Sequence, residues 1–333
     1  MEKWSVNDSQ IHFKGTACNV LVTSASRKAP LVCAMQEAVR RIYPDARVIA
    51  GDLDHEAPAR YVADGFWQMP RVTDAELPAL IQGCRERGVA VVFPTRDGEL
   101  LFWARHRATL AEAGISVVVS NPEAVKRCLD KLAFAHFGKG IGLPIIDAAM
   151  TLEAVGVGPY VVKERYGAGA RAIGLDLSRD AARYHAKNLD APIYQPFVPG
   201  PEISIDGWID RSGAVVGVVL RRRDRVVAGE SQITTTFRSE ALEREAVRAL
   251  EALDLRGPVV MQAIVINDTM RIVECNPRFG GASTIAIAAG LDVLYWSLIE
   301  AFGLGLPPVF KRIAGEVRQV RLPVDLVLHD PDF

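Results

Sequence analysis

VVMQAIVINDTMRIVECNPRFGGAS, residues 259–283, is the stretch whose reading decides the fold. Two apolar runs flank Asn267-Asp268-Thr269, the pattern of two strands joined by a tight turn. The second run ends in a polar cluster, Glu274, Asn276 and Arg278, and Gln262 lies back on the first. Strand side chains alternate faces, so Glu274 and Asn276 point one way and Cys275 the other. A three-residue loop would pair Ile266 with Met270 and set Gln262 opposite Glu274. A two-residue loop shifts the register by one and loses that pair. Two or three hard oxygen donors then converge on one point with a guanidinium behind them, as Mg²⁺ and a polyphosphate require. The competing reading is a hairpin whose carboxylate and arginine form an ordinary surface ion pair.

The run E-x-N-P-R-F-G-G (274–281) resembles the metal site of the ATP-grasp enzymes, in particular single-copy members similar to the carbamoyl phosphate synthase large chain. The likeness runs from about Asn19 to the C-terminal end and is carried further by V-V-K (161–163) and Q-P-F-V-x-G-x-E (195–202). It implies a mixed α/β and α+β fold. A Rossmann-like pre-ATP-grasp domain (17–120) precedes a two-subdomain ATP-grasp module (121–333), with a lid at 143–195 and a metal and substrate subdomain at 196–333.

Length and composition agree with this. The 333 residues can bury a large core and divide into two or three domains. A formal charge of −1 leaves no basic stripe for nucleic acid and no acidic tail. The polar first residues, MEKWSVNDSQIHFKG, lack the apolar centre of a signal peptide, and no apolar run is long enough to span a bilayer. Five cysteines, an odd number without a C-x-x-C pair, read as buried thiols of a reducing compartment. A cytoplasmic protein is expected, with a homodimer allowed for.

Residues 1–16 read as a loose leader. Strands are expected at Asn19–Thr23, Arg47–Ala50, Val89–Phe93 and Ser116–Val119, with a helix from about Pro30 to Ile42; this alternation implies a parallel sheet. The turn Thr23–Lys28 contains no glycine, which argues against a nicotinamide cofactor. VTSASRKAPLV, GDLDHEAPARYVAD and PTRDGELL resemble the pre-domain motifs of the same family. That likeness makes Ser26, Arg27, Arg96, Asp97 and Glu99 substrate-side candidates, with helix capping and loop solvation as the plain alternative.

Asn121-Pro122-Glu123 opens a helix expected to run to roughly Gly138. The family places a phosphate-contacting lysine in the D-K context of Asp130-Lys131. Lys163 ends the apolar strand Pro159–Lys163, just ahead of Gly167-Ala168-Gly169. There the glycines admit backbone N–H groups to phosphate oxygens while the ammonium supplies a point charge. Residues 193–198 resemble the hinge whose backbone reads adenine, so Gln195, Phe197 and Val198 join Lys131, Lys163, Gly167 and Gly169 as ATP contacts. Pro196 has no N–H, which leaves any donor to Phe197 or Val198. By resemblance Glu202 accepts the ribose hydroxyls, while Asp206 reads as structural. Arg221 and Arg223 share a strand face, and one of them is expected to clamp the acceptor, because guanidinium matches a planar oxyanion bidentately.

The implied chemistry is ATP-dependent ligation of a carboxylate to an amine through an acyl-phosphate. Glu274, Asn276 and Gln262 would hold Mg²⁺ (Mn²⁺ as the alternative). Lys131, Lys163 and Arg278 would offset charge on the transferring phosphoryl group. The rival readings are phosphorylation of bicarbonate or carbamate, and an ATP-binding module without turnover.

Overall fold

The computed structural model describes residues 18–167, 172–305, 310–322 and 324–328. The proposed leader and Gly169 lie outside them. β1 (Asn19–Thr23), β2 (Val48–Asp52), β3 (Gly65–Gln68), β4 (Val89–Pro94) and β5 (Ser116–Val117) form a parallel sheet in the order β3-β2-β1-β4-β5. Helices α1 (Ala29–Arg40), α2 (Leu77–Glu86), α3 (Asp97–Arg105) and α4 (Arg107–Glu112) connect and cover its strands. Val20 and Val22 face one core and Leu21 the other, so a continuous apolar run is buried on both sides. The expected strands are present. β3 is an addition: four residues carry too little periodicity to mark a strand.

The single helix expected from Asn121 to Gly138 is two helices, α5 (Pro122–Leu129) and α6 (Lys131–Gly140). Asp130 sits between them in an extended conformation (φ −100°, ψ 98°) and caps α6, accepting from the N–H groups of Leu132 and Ala133. The competition of an aspartate side chain for nearby N–H groups is what breaks the run.

After α7 (Leu152–Val155), a three-stranded sheet of order β7-β6-β8 is made by β6 (Tyr160–Glu164), β7 (Gly174–Leu177) and β8 (Pro192–Pro196), covered by α8 (Arg179–Ala186). It has its own small core of Leu152, Tyr160, Val162, Ala182 and Ala186. The remaining sheet has six strands. In chain order they are β9 (Glu202–Ile209), β10 (Val215–Val227), β11 (Glu230–Phe237), then, after α9 (Glu240–Ala252), β12 (Gly257–Ile266), β13 (Thr269–Asn276) and finally β14 (Arg318–Val320). Their order in space is β13-β12-β9-β10-β11-β14. One face, with Ile205, Leu220, Met261 and Cys275, packs on α9, α5 and α6. The other carries Glu274, Gln262, Ser204 and Arg221 in one cross-strand row. Helices α10 (Thr284–Ala288) and α11 (Val293–Ala301) join Trp208 and Phe279 to the α1 side of the first sheet in one core, which fixes the two units together.

Candidate functional site

In the hairpin, Gln262 lies opposite Glu274 as expected, by a different route. The loop holds two residues, Asn267 and Asp268, at φ 45° and 61°, and Ile266 pairs with Thr269 rather than Met270. Asn and Asp tolerate this left-handed pair of angles. Ala263 pairs with Ile272 and Gln262 with Glu274, so Val273 is an extra residue on β13, and this bulge restores the cross-strand pair. Asn276 Nδ2 donates to Glu274 Oε1 at 3.3 Å, which leaves the Asn276 oxygen as a donor to a cation.

Lys131, first residue of α6, stands with its Nζ 4.0 Å from Glu274 Oε2 and donates to the Gly167 carbonyl. The cap residue before it is clamped by Arg165, whose Nε and Nη2 reach Asp130 at 2.7 and 2.5 Å, and the Lys131 N–H donates to the Arg165 carbonyl. The end of β6 and the start of α6 are thereby tied, which brings both Lys163 and Lys131 near Glu274. Lys163 is 4 % exposed. Burial pushes its ammonium down to about 8; Glu274 and Glu202 oppose that and Lys131 reinforces it.

Glu202 accepts from Gln262 Nε2 at 2.7 Å and from Arg223, which also donates to Ser231 and to the Gly229 carbonyl. Arg221 is buried and bonded through Nε to Asp206 at 2.7 Å; Asp206 also accepts from Ser283. Both arginines are thus engaged by carboxylates of the same sheet. The Gln195 side chain is buried and donates to the Ile146 carbonyl, so only its backbone could meet a base. Phe197 N–H donates to the Pro159 carbonyl at 2.9 Å, so of the two expected hinge donors this one is already engaged within the fold.

Arg278 leaves the hairpin toward the first domain. Its Nε and Nη2 each reach an Asp97 oxygen at 2.7 Å, and its Nη1 donates to the Phe279 carbonyl. Burial works against its charge, yet Asp97 holds it above the ordinary arginine value. Asp97, read from sequence on the substrate side, therefore meets a residue read on the phosphoryl side. Phe279 packs edge-on against Phe93 of β4 at 6.5 Å, and a Cβ on Gly280 would stand 2.7 Å from Ser283 Oγ. Ser26 and Arg27 are exposed; the Ser26 N–H donates to Asp52 Oδ2 at 2.8 Å. Arg96 is exposed, 3.8 Å from the buried Glu99, which accepts from Thr23 and Ser24. Sequence reasoning missed Lys28, half-buried beside this group and pushed down to about 8, first by burial and then by Arg278. Its only signal is adjacency to Ser26 and Arg27.

Among the described residues no three His, Cys, Asp or Glu side chains converge. A cation at Glu274 would complete its shell from the amide oxygens of Asn276 and Gln262, water and phosphate, a donor set that suits Mg²⁺.

Two family models match the chain: the N-terminal domain of PylC-like proteins over residues 20–118, and ATP-grasp in the biosynthetic pathway with Ter operon over residues 189–320. The chain is 24% identical to the carbamoyl phosphate synthase large chain of Pyrococcus furiosus over 282 residues, covering 76% of itself and 27% of that protein. It is 26% identical to the biotin carboxylase of Halalkalibacterium halodurans over 301 residues, covering 80% of itself and 65% of that protein. It thus spans only about a quarter and about two thirds of these relatives' lengths. Among solved structures, N5-carboxyaminoimidazole ribonucleotide synthetase from Thermus thermophilus aligns with TM-score 0.69 at 21% identity, covering 90% of this chain and 82% of that one. The biotin carboxylase domain dimer of Hydrogenobacter thermophilus 2-oxoglutarate carboxylase, a complex with MgADP, ADP and bicarbonate, aligns with TM-score 0.72 at 17% identity, covering 90% and 73%. At these identities the likeness to solved structures establishes the fold.

Proposed function

The chain belongs to the ATP-grasp superfamily, and from that premise we propose that it is an ATP-dependent ligase. It activates a carboxylate as an acyl-phosphate and joins it to an amine, releasing ADP and phosphate. The observation that carries this reading is the charge left over between β6 and the hairpin. Among the described residues Lys163 and Lys131 face one carboxylate, Glu274, while Glu202 is already engaged by Arg223 and Gln262. A buried ammonium without a close partner is costly unless an anion arrives to share the site. A triphosphate laid along Lys163 and Lys131 supplies it.

Glu274, Asn276 and Gln262 would hold Mg²⁺, which offsets charge on the phosphates when bound. Lys131 and Lys163 neutralise the transferring phosphoryl oxygens, and Val198 N–H meets the adenine edge. Glu202 accepts from the ribose. Arg278, held by Asp97, stands at the junction with the first domain, where the carboxylate would enter. Catalysis of the first step is then positioning and charge neutralisation. Arg223 is the better of the two acceptor-clamp candidates, since Arg221 is sealed against Asp206. Five free thiols, with no helix among the described residues long and apolar enough to cross a membrane, fit a cytoplasmic protein. A homodimer is the assembly to test first, since the H. thermophilus biotin carboxylase domain is one.

The test is ADP release by the purified chain with MgATP, a panel of carboxylic acids including bicarbonate, and hydroxylamine to trap acyl-phosphate as hydroxamate. One acid should give ADP and hydroxamate in equal amounts. ADP release independent of every acid, or none at all, would count against a ligase.

A further inference from the structure

The turn after β1 carries a lysine that the chemistry above leaves without a task. Lys28 Nζ donates to the Ser24 carbonyl at 2.6 Å and to Thr95 Oγ1 at 2.9 Å. Thr95 Oγ1 itself donates to the Thr23 carbonyl at 2.6 Å, so it can only accept from the lysine. The strand order β3-β2-β1-β4-β5 reverses between β1 and β4. Connections leaving their carboxyl ends diverge there and open the crevice in which such sheets take ligands. Lys28 and Thr95 follow those two strands, and Arg278, held by Asp97 of α3, lies near enough to act on the charge of the lysine.

The charged groups around Lys28 come from three elements, α3, the end of β2 and the end of the hairpin, and each carboxylate among them is already occupied. Asp97 of α3 is bound by Arg278, and Glu99 by Thr23 and Ser24, with Arg96 at 3.8 Å. Asp52, at the end of β2, accepts from the N–H groups of Ser26 and Asp54. No ion pair of Lys28 is found among the described residues. Burial and Arg278 push it down to about 8, against the pull of Glu99, Asp52 and Asp97. Roughly a tenth of the amine is then unprotonated at pH 7. A neutral amine has two N–H groups and one lone pair. The two N–H groups match the Ser24 carbonyl and Thr95 Oγ1, and the lone pair is left for a donor from outside.

We propose that Lys28 is the catalytic base of the second half-reaction, touching the ammonium group of the acceptor and removing its proton. The inference rests on the ligase reading. Lys28 Nζ accepts one proton from R–NH₃⁺ and becomes an ammonium. The freed lone pair of the acceptor nitrogen forms the C–N bond at the acyl carbon. The C–O bond to phosphate breaks with its electron pair, and the departing phosphate takes the second proton from nitrogen. Nothing is oxidised or reduced, and Lys28 returns its proton to solvent.

Hydroxylamine separates this step from the first, because it is already unprotonated at neutral pH and needs no base. The full chain would be assayed with MgATP, the acid found active above, and either hydroxylamine or ammonium chloride with the twenty amino acids. For Lys28→Arg, which keeps the charge and both bonds but cannot lose its proton, the ratio of amide to hydroxamate rate should fall by about 50-fold or more. In the wild type that ratio should rise with pH, pass its half-way point near pH 8 and level off above it. An unchanged ratio in Lys28→Arg, or a wild type that makes hydroxamate but no amide, would overturn the role of Lys28. If Lys28→Arg does not fold, Lys28→Met and the wild-type pH profile decide. A profile that follows each acceptor's own pKa would refute the proposal. No hydroxamate from the wild type would instead remove the ligase reading, and this inference with it.

Discussion

The cleft between β6 and the hairpin holds Lys131 and Lys163 against Glu274, whereas the contact between α3 and the hairpin holds Arg278 against Asp97. In the second region the charges match, with two bonds at 2.7 Å to one carboxylate. In the first, among the described residues, the nearest approach of opposite charges is 4.0 Å and two ammonium groups face one carboxylate. The buried pair of Arg221 and Asp206 and the forked pair of Arg165 and Asp130 belong with the balanced kind. Balanced pairs hold strands and helices in place, as their cost is repaid within the fold. The unbalanced cleft is finished only by an anion. Polar residues close together in space thus divide into framework and site by what each has left to bind.

The sharpest way to break this distinction is at Lys163. Lys163→Met should cut ADP formation by about 10²–10³-fold, as loss of a charge on the transferring group does. The same change removes a buried ammonium, so the thermal midpoint should hold or rise. A large fall in midpoint would place Lys163 among the framework pairs instead. Asp97→Asn attacks the balanced region. It leaves a half-buried guanidinium with a neutral partner, and after allowance for its partial exposure a loss of roughly 1–3 kcal/mol is expected in urea unfolding. ADP formation should suffer less than in Lys163→Met; the reverse order would mean that Asp97 acts in chemistry.

A smaller effect concerns protons. The folded value of about 8 for Lys163 lies below its ordinary 10.5. Between these values the unfolded chain binds more protons, so stability should rise with pH across this window and the gain be absent below it. A bound triphosphate restores the ammonium, so nucleotide binding near pH 8.5 should take up a fraction of a proton. Calorimetry in two buffers of different ionisation enthalpy measures this, and proton release would contradict the assignment.

Much of this was legible because it rests on short-range pattern. The alternation around Glu274 and Asn276 marks a half-buried strand, and the E-x-N-P-R-F-G-G run carries the family likeness. What stayed hidden needed tertiary contacts. The bulge at Val273 is invisible in the apolar alternation, so the right pair was expected from the wrong loop. The break at Asp130 is a cap that the apolar spacing of 121–138 does not reveal, and Arg165, distant in sequence, clamps it. Arg221 and Arg223 looked equivalent on one face until Asp206 and Glu202 distinguished their surroundings. Lys28 stands in a run of polar residues, and only the reversal of strand order beside it shows why its position differs from that of Arg27.

Titration of MgATP into the full chain and into Glu274→Ala bears most directly on the cleft. The wild type should bind MgATP, and the variant, still folded by circular dichroism, should bind it at least tenfold more weakly, about 1.4 kcal/mol, with little gain from added Mg²⁺. Equal affinity and equal Mg²⁺ dependence in the two proteins would mean that the nucleotide and its metal do not meet at the hairpin.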